Sequence, residues 1–76
     1  MATAIVLVNT DPGSEDDVVE SLRKLDAVKE AYVSYGVYDI VAKVEGKSLS
    51  NLKEIITHRV RRQENVRSTL TLIVAE

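Results

Sequence analysis

The run Tyr32-Val-Ser-Tyr-Gly-Val-Tyr-Asp-Ile-Val41 decides the fold, because strand-forming residues on both sides of it meet at a turn that also carries polar chemistry. Val33 and Tyr35 before the turn, and Ile40, Ala42 and Val44 after it, alternate with more polar neighbours at period 2, the pattern of half-buried strands. Gly36 interrupts the run. Glycine accepts the positive φ that tight connections need, so Gly36 to Asp39 reads as the turn of a β-hairpin and not as a helix start. Asp39 at this tip has two readings: it hydrogen-bonds its own backbone and stabilises the turn, or it presents a carboxylate to a ligand.

Outward toward the N-terminus, the first strand, Thr3 to Asn9, is apolar on both sides, with Ala4, Val6 and Val8 on one and Ile5 and Leu7 on the other. Both sides therefore need covering. Asp11-Pro12-Gly13 is a turn, and Ser14 is placed to cap a helix whose first turn holds Glu15, Asp16 and Asp17, where carboxylates suit the positive end of the helix dipole. Val18, Val19, Leu22 and Leu25 form the apolar stripe of that helix to about Leu25. The dipole accounts for all three carboxylates without a metal ion.

Outward toward the C-terminus, Gly46-Lys47-Ser48 stands between a strand and a helix like the end of a phosphate-binding loop. That loop needs a second glycine five positions earlier, and the position is Val41, so the match fails. Ser48 reads instead as a helix cap, with Leu49, Leu52, Ile55, Ile56 and Val60 as the buried stripe. His58, Arg59, Arg61 and Arg62 gather toward the end of this helix, where the dipole favours positive charge; no aromatic residues interleave them as a nucleic-acid surface would require. The last strand, Val66 to Ala75, sets Leu70, Leu72 and Val74 against Thr69, Thr71 and Ile73, one set for a core and the other semi-polar.

The order strand, helix, strand, strand, helix, strand is that of an α+β, ferredoxin-like βαββαβ sandwich, a four-stranded antiparallel sheet with both helices on one face. The other face is left bare. On it the reading places Ile5, Leu7, Tyr32, Val41 and Ile73 among Thr69, Thr71 and Lys43, a set too apolar for water, so a dimer through this face is expected. Size points the same way. A chain of 76 residues forms a single domain, 1–76, whose core yields only about 3–5 kcal/mol. With no cysteine, neither a disulfide nor a thiolate zinc site adds to that, and oligomerisation is the remaining route.

The lack of cysteine fits a reducing interior, and the apolar N-terminal stretch has no basic start and is too short to span a bilayer, so a soluble cytoplasmic protein without membrane contact is expected. Ten basic side chains against twelve acidic ones give a net charge of −2, which offers no overall positive field for nucleic acid. Among enzymes, the topology would suit a small dimeric oxygenase-like fold. His58 is the only histidine and there is no cysteine or tryptophan, so a catalytic pair or a metal set has no members within one chain, and neither cofactor nor metal is expected. A structural assembly module without a ligand is a third option.

Two stretches go further: the hairpin from Val28 to Val41, with its Gly36-Val37-Tyr38-Asp39 turn, and the closing Val66-Arg-Ser-Thr-Leu-Thr71 strand with its hydroxyls. Together with the order of elements, they make the chain, from Thr3 to about Ala75, resemble the effector-binding (RAM) domain of the Lrp/AsnC family. The resemblance implies a transcription-regulation module that senses an amino acid. It also implies a sheet-to-sheet dimer, barrel-like in section, whose dimers join into rings such as an octamer or decamer, with the effector between dimers. Carried over by position, Gly36, Val37, Tyr38 and Asp39 on the turn and Ser68, Thr69 and Thr71 on the last strand are the ligand-binding candidates. Family regulators place a helix-turn-helix before this domain, and here the first residues already read as the first strand. A stand-alone domain is therefore expected, one that does not contact nucleic acid itself and acts by joining full-length relatives.

Overall fold

A computed structural model describes residues 1–75. In chain order the elements are β1 (Ala2–Thr10), α1 (Glu15–Arg23), β2 (Val28–Val33), β3 (Ile40–Gly46), α2 (Leu49–Ile55) and β4 (Val66–Ile73). α2 continues without a break into a π-helical stretch, Ile56–Val60, closed by the Arg61 N–H donating to the Ile56 carbonyl at 2.9 Å. The strands lie in the order β2-β3-β1-β4 and every neighbouring pair is antiparallel, which is the ferredoxin-like βαββαβ arrangement.

Alternation along the two central strands builds the core. Ala4, Val6 and Val8 of β1 and Ile40, Ala42 and Val44 of β3 are buried under the helices, which contribute Val18, Val19 and Leu22 from α1 and Leu52, Ile56 and Val60 from α2 and its extension. Gly46, at the end of β3, lets α2 sit down on the sheet: a Cβ there would lie 2.9 Å from both the backbone N and the Cα of Leu52. Ser48 then caps α2, its hydroxyl accepting the Asn51 N–H at 3.1 Å while the Asn51 side chain accepts the Lys47 N–H at 2.9 Å. The Gly-Lys-Ser run is thus spent on a close approach and a cap.

Several sequence expectations are corrected. Ser14 stands at the start of α1 but makes no side-chain cap; its N–H donates to the Asp11 carbonyl and its carbonyl accepts from Val18, so the turn itself supplies the start. α1 ends at Arg23, and Leu25 packs only partly against the core. Leu49, expected in the buried stripe of α2, is exposed because it falls in the first turn, beyond the edge of the sheet contact. β2 stops at Val33, so Tyr35 lies in the loop and is fully exposed, and a bulge between Val28 and Glu30 breaks the strand's alternation so that Ala31 carries its burial.

The largest correction is the phase of β4, which ends at Ile73 and not at Ala75. Leu70 is paired with Leu7 and Leu72 with Ile5, whereas Thr69, Thr71 and Ile73 are paired with Val8, Val6 and Ala4. Paired residues point to the same side of a sheet, so Ile73, Thr69 and Thr71 stand on the helix side and the two leucines on the open one. The open face therefore carries Ile5, Leu7, Val41, Leu70 and Leu72, with Tyr32 at its edge. Leu70 and Leu72 are 44% and 50% exposed on it. Ile73 is not part of this face.

Beyond the apolar strip lies a charged flank. Tyr32 donates its hydroxyl to Glu30 at 2.9 Å, and Lys43 lies 3.9 Å from Glu30 and 4.0 Å from Glu45.

Candidate functional site

Six residues, Ser34 to Asp39, connect β2 to β3, and their shape is set by hydrogen bonds from both ends. The Ser34 N–H donates to the Asp39 carbonyl at 2.8 Å, and the Ser34 hydroxyl donates to the Tyr38 carbonyl at 2.9 Å. Gly36 holds φ at +143°, a conformation open to glycine and strained for other residues, so the chain reverses there. Asp39 locks the loop onto β1: its N–H donates to the Val8 carbonyl at 3.0 Å, and its Oδ2 accepts the Thr10 N–H at 2.9 Å and the Thr10 hydroxyl at 3.4 Å. Both bonds use Oδ2. Among the described residues Oδ1 accepts nothing.

Asp39 lines a hollow of about 360 Å³ together with Asn9, Thr10, Arg67 and Ser68. A bulge shapes its far wall. Asn9 pairs with Ser68 but Thr10 pairs with Val66, so Arg67 is the extra residue and leaves the ladder. Its Nε lies 3.8 Å from Asp11 Oδ1, an exposed pair that contributes little stability and leaves the guanidinium adaptable. Asn9 donates weakly to the Ser68 hydroxyl at 3.4 Å. One rim thus holds a carboxylate, and the other a guanidinium and a hydroxyl.

Of the residues expected from sequence, Asp39 and Ser68 meet here. Gly36 and Val37 stand at the exposed tip, and Tyr38 is half-buried with its carbonyl held by Ser34; none of the three lines the hollow. Thr69 and Thr71 are not in it either, because the phase of β4 turns them to the helix side, where they line a groove of about 430 Å³ with Lys53, Ile56, Arg61 and Ile73. Thr10 and Arg67 were missed. A threonine ending an apolar strand gives a weak signal for the first. Nothing in the sequence marks the bulge that releases the second. No group of three His, Asp or Glu among the described residues is arranged to hold a metal, and no helix among them is long and apolar enough to cross a membrane.

The model of the Lrp/AsnC ligand binding domain matches residues 3–76. The chain belongs to the Lrp/AsnC ligand-binding domain family. Its membership extends through sequence and fold alike. An uncharacterized HTH-type transcriptional regulator of Pyrococcus furiosus is 30% identical over 74 residues, which cover 93% of this chain and 49% of the regulator. This Lrp/AsnC domain thus spans about half the length of that relative. The crystal structure of FFRP-DM1 superimposes with a TM-score of 0.93 at 42% identity, covering 97% of this chain and 99% of that one. The feast or famine regulatory protein from M. tuberculosis, complexed with L-methionine, matches with a TM-score of 0.83 at 27% identity, over all of this chain and 51% of that one.

Proposed function

We propose that this Lrp/AsnC domain senses a free amino acid, bound in the hollow between Asp39 and Arg67, and passes its occupancy on through assembly. The observation that carries the reading is the placement of opposite charges on the two rims of one hollow. An amino acid presents an ammonium and a carboxylate a few bonds apart. Asp39 Oδ1 suits the ammonium, and the Arg67 guanidinium with the Ser68 hydroxyl suits the carboxylate, each through charge-assisted hydrogen bonds about twice as strong as neutral ones. About 360 Å³ lies at the lower end of the range for small-molecule sites. That a relative was solved with L-methionine supports the ligand class.

The open sheet face supplies the assembly. Ile5, Leu7, Val41, Leu70 and Leu72 form an apolar strip that a second copy's equivalent strip covers, sheet to sheet, with Tyr32 and the Glu30–Lys43–Glu45 flank at its border. The same sensing surface would serve alone or beside full-length regulators. In these residues both helices are spent on covering the sheet, so no helix pair is free to enter a DNA groove, and the domain acts on transcription through its partners.

A thermal-shift screen against the twenty amino acids tests the reading, since a ligand that binds only the folded state raises its apparent stability by mass action. At least one amino acid should raise the midpoint in a concentration-dependent way. Twenty flat profiles at millimolar ligand would remove the proposal.

A further inference from the structure

The open face of the sheet is uneven. Pairing across the four strands sets Tyr32, Val41, Leu7 and Leu70 in one row. The next row holds Glu30, Lys43, Ile5 and Leu72, and Glu45 follows in a third, opposite Thr3. On the β1–β4 half the first two rows are wholly apolar. The β2–β3 half carries the Tyr32 phenol, two carboxylates and one ammonium, that of Lys43, which lies 3.9 Å from Glu30 and 4.0 Å from Glu45.

That flank keeps a net negative charge. Lys43 balances one of its two carboxylates, and the other cations of this edge are turned elsewhere. Arg23 pairs with Glu20 at 3.5 Å and donates to the Ala31 carbonyl, and Lys29 donates to the Asp26 carbonyl at 3.0 Å. In a single copy the three flank side chains are partly exposed, so water screens them. Covering the face removes that water.

Symmetry decides what the flank meets. Two copies stacked face to face are related by a two-fold axis lying between the sheets, and the usual angle of about 30° between packed sheets leaves that axis either nearly along the strands or nearly across them. An axis along the strands lays β2 of one copy on β4 of the other and presses Glu30 and Lys43 onto Leu70 and Leu72, which desolvates charge against apolar surface. An axis across the strands keeps the β1–β4 half on its own equivalent and the β2–β3 half on its own. The leucines then meet leucines, and the two flanks meet each other in one seam. Like charges come together there, because each copy brings one surplus carboxylate.

We propose that the Glu30–Lys43–Glu45 flank chooses this domain's partner on the open face. The favoured partner is a domain of the same sandwich fold whose flank is net positive, with lysine or arginine at the position of Glu30 or of Glu45. An identical copy is held more weakly. The apolar half supplies affinity to either partner and the flank supplies discrimination, because charges at the border of an apolar contact act mainly on partner choice. The inference rests on the sheet-to-sheet contact proposed above and adds the chemistry that selects who makes it.

Mixed dimers test the selection. Wild type is combined with an equal amount of a chain carrying Glu30→Lys and Glu45→Lys, and the dimers are counted by native mass spectrometry, with denaturant midpoints checking that each variant folds. In low salt, mixed dimers should exceed the share that random pairing gives, and the excess should shrink as salt screens the seam. A second variant, Glu45→Gln, removes the surplus charge and should form a homodimer several-fold tighter than the wild type's in a sedimentation dilution series. Mixed dimers at the random share, or a Glu45→Gln dimer no tighter than wild type, would overturn the selection. Leu70→Lys separates the two possible failures. Random mixing of dimers that Leu70→Lys abolishes overturns the selection alone, whereas dimers that survive Leu70→Lys overturn the sheet-to-sheet contact and the selection with it.

Discussion

The Thr10 N–H donates to Asp39 Oδ2 at 2.9 Å, so one carboxylate both fastens the β2–β3 loop to the end of β1 and faces the hollow beside Arg67. The residue with the most ligand chemistry is therefore also structural. Asp39→Ala should cost about 1–3 kcal/mol of stability, because the buried Thr10 N–H loses its acceptor. Asp39→Asn retains an oxygen for that bond and should cost well under half as much. Urea denaturation of the two variants checks the split; equal losses would mean that the Thr10 bond contributes nothing.

Lysine scanning of β3 and β4 checks which residues share the open face. Val41→Lys and Leu70→Lys place an unpaired charge in the proposed sheet-to-sheet contact and should weaken the dimer by about 3–5 kcal/mol. Ile73→Lys lies on the other side of the sheet and should leave the dimer's dissociation constant unchanged. Analytical ultracentrifugation across a dilution series reads all three, and dissociation by Ile73→Lys with none by Leu70→Lys would reverse the phase of β4.

Helix α2 is seated by Gly46 and Ser48, and both should be sensitive. Gly46→Ala drives a Cβ against the Leu52 backbone and should cost about 1–3 kcal/mol, since backbone cannot rotate away. Ser48→Ala removes the Asn51 cap and should cost about 0.5–2 kcal/mol. Ser14→Ala, at a position whose hydroxyl caps nothing, should stay within about 0.5 kcal/mol of wild type in the same denaturant titrations.

The Tyr32 phenol is held above its ordinary value of 10.0, chiefly because its hydroxyl donates to the Glu30 carboxylate, whose charge also opposes ionisation. The folded state thus favours the neutral phenol. Whatever stability this gives is complete below pH 10 and is lost as pH rises through the folded-state value. In an absorbance titration the Tyr32 phenolate should form later in the wild type than in Glu30→Gln, which keeps an acceptor but removes the carboxylate charge beside the phenol.

The central strands were legible in the sequence because burial on them follows strict alternation: Ala4, Val6 and Val8 under the helices, Ile5 and Leu7 opposite. The phase of β4 was not, because its two sets of residues, Leu70 with Leu72 and Thr69 with Thr71 and Ile73, invite the assumption that leucines go to the core. An edge strand that no helix covers reverses the usual signal: the leucines join the face open to a partner, and the hydroxyls stay beside α2. For the site, a turn with Gly36 and Asp39 could be read locally. Arg67 could not, since it enters through a bulge set by pairing between β1 and β4, where Thr10 pairs with Val66, 56 residues further along the chain. Tyr35 looked like strand because nothing local shows that the Ser34–Asp39 bond closes the ladder before it.

Calorimetric titration of amino acids into the wild-type chain and into Asp39→Asn tests the central claim most directly. The account predicts saturable binding of at least one amino acid by the wild type, weakened in Asp39→Asn by about 2–5 kcal/mol if the ammonium pair is desolvated, with folding retained. Equal affinity in the two proteins, or no binding by the folded wild type, would contradict it.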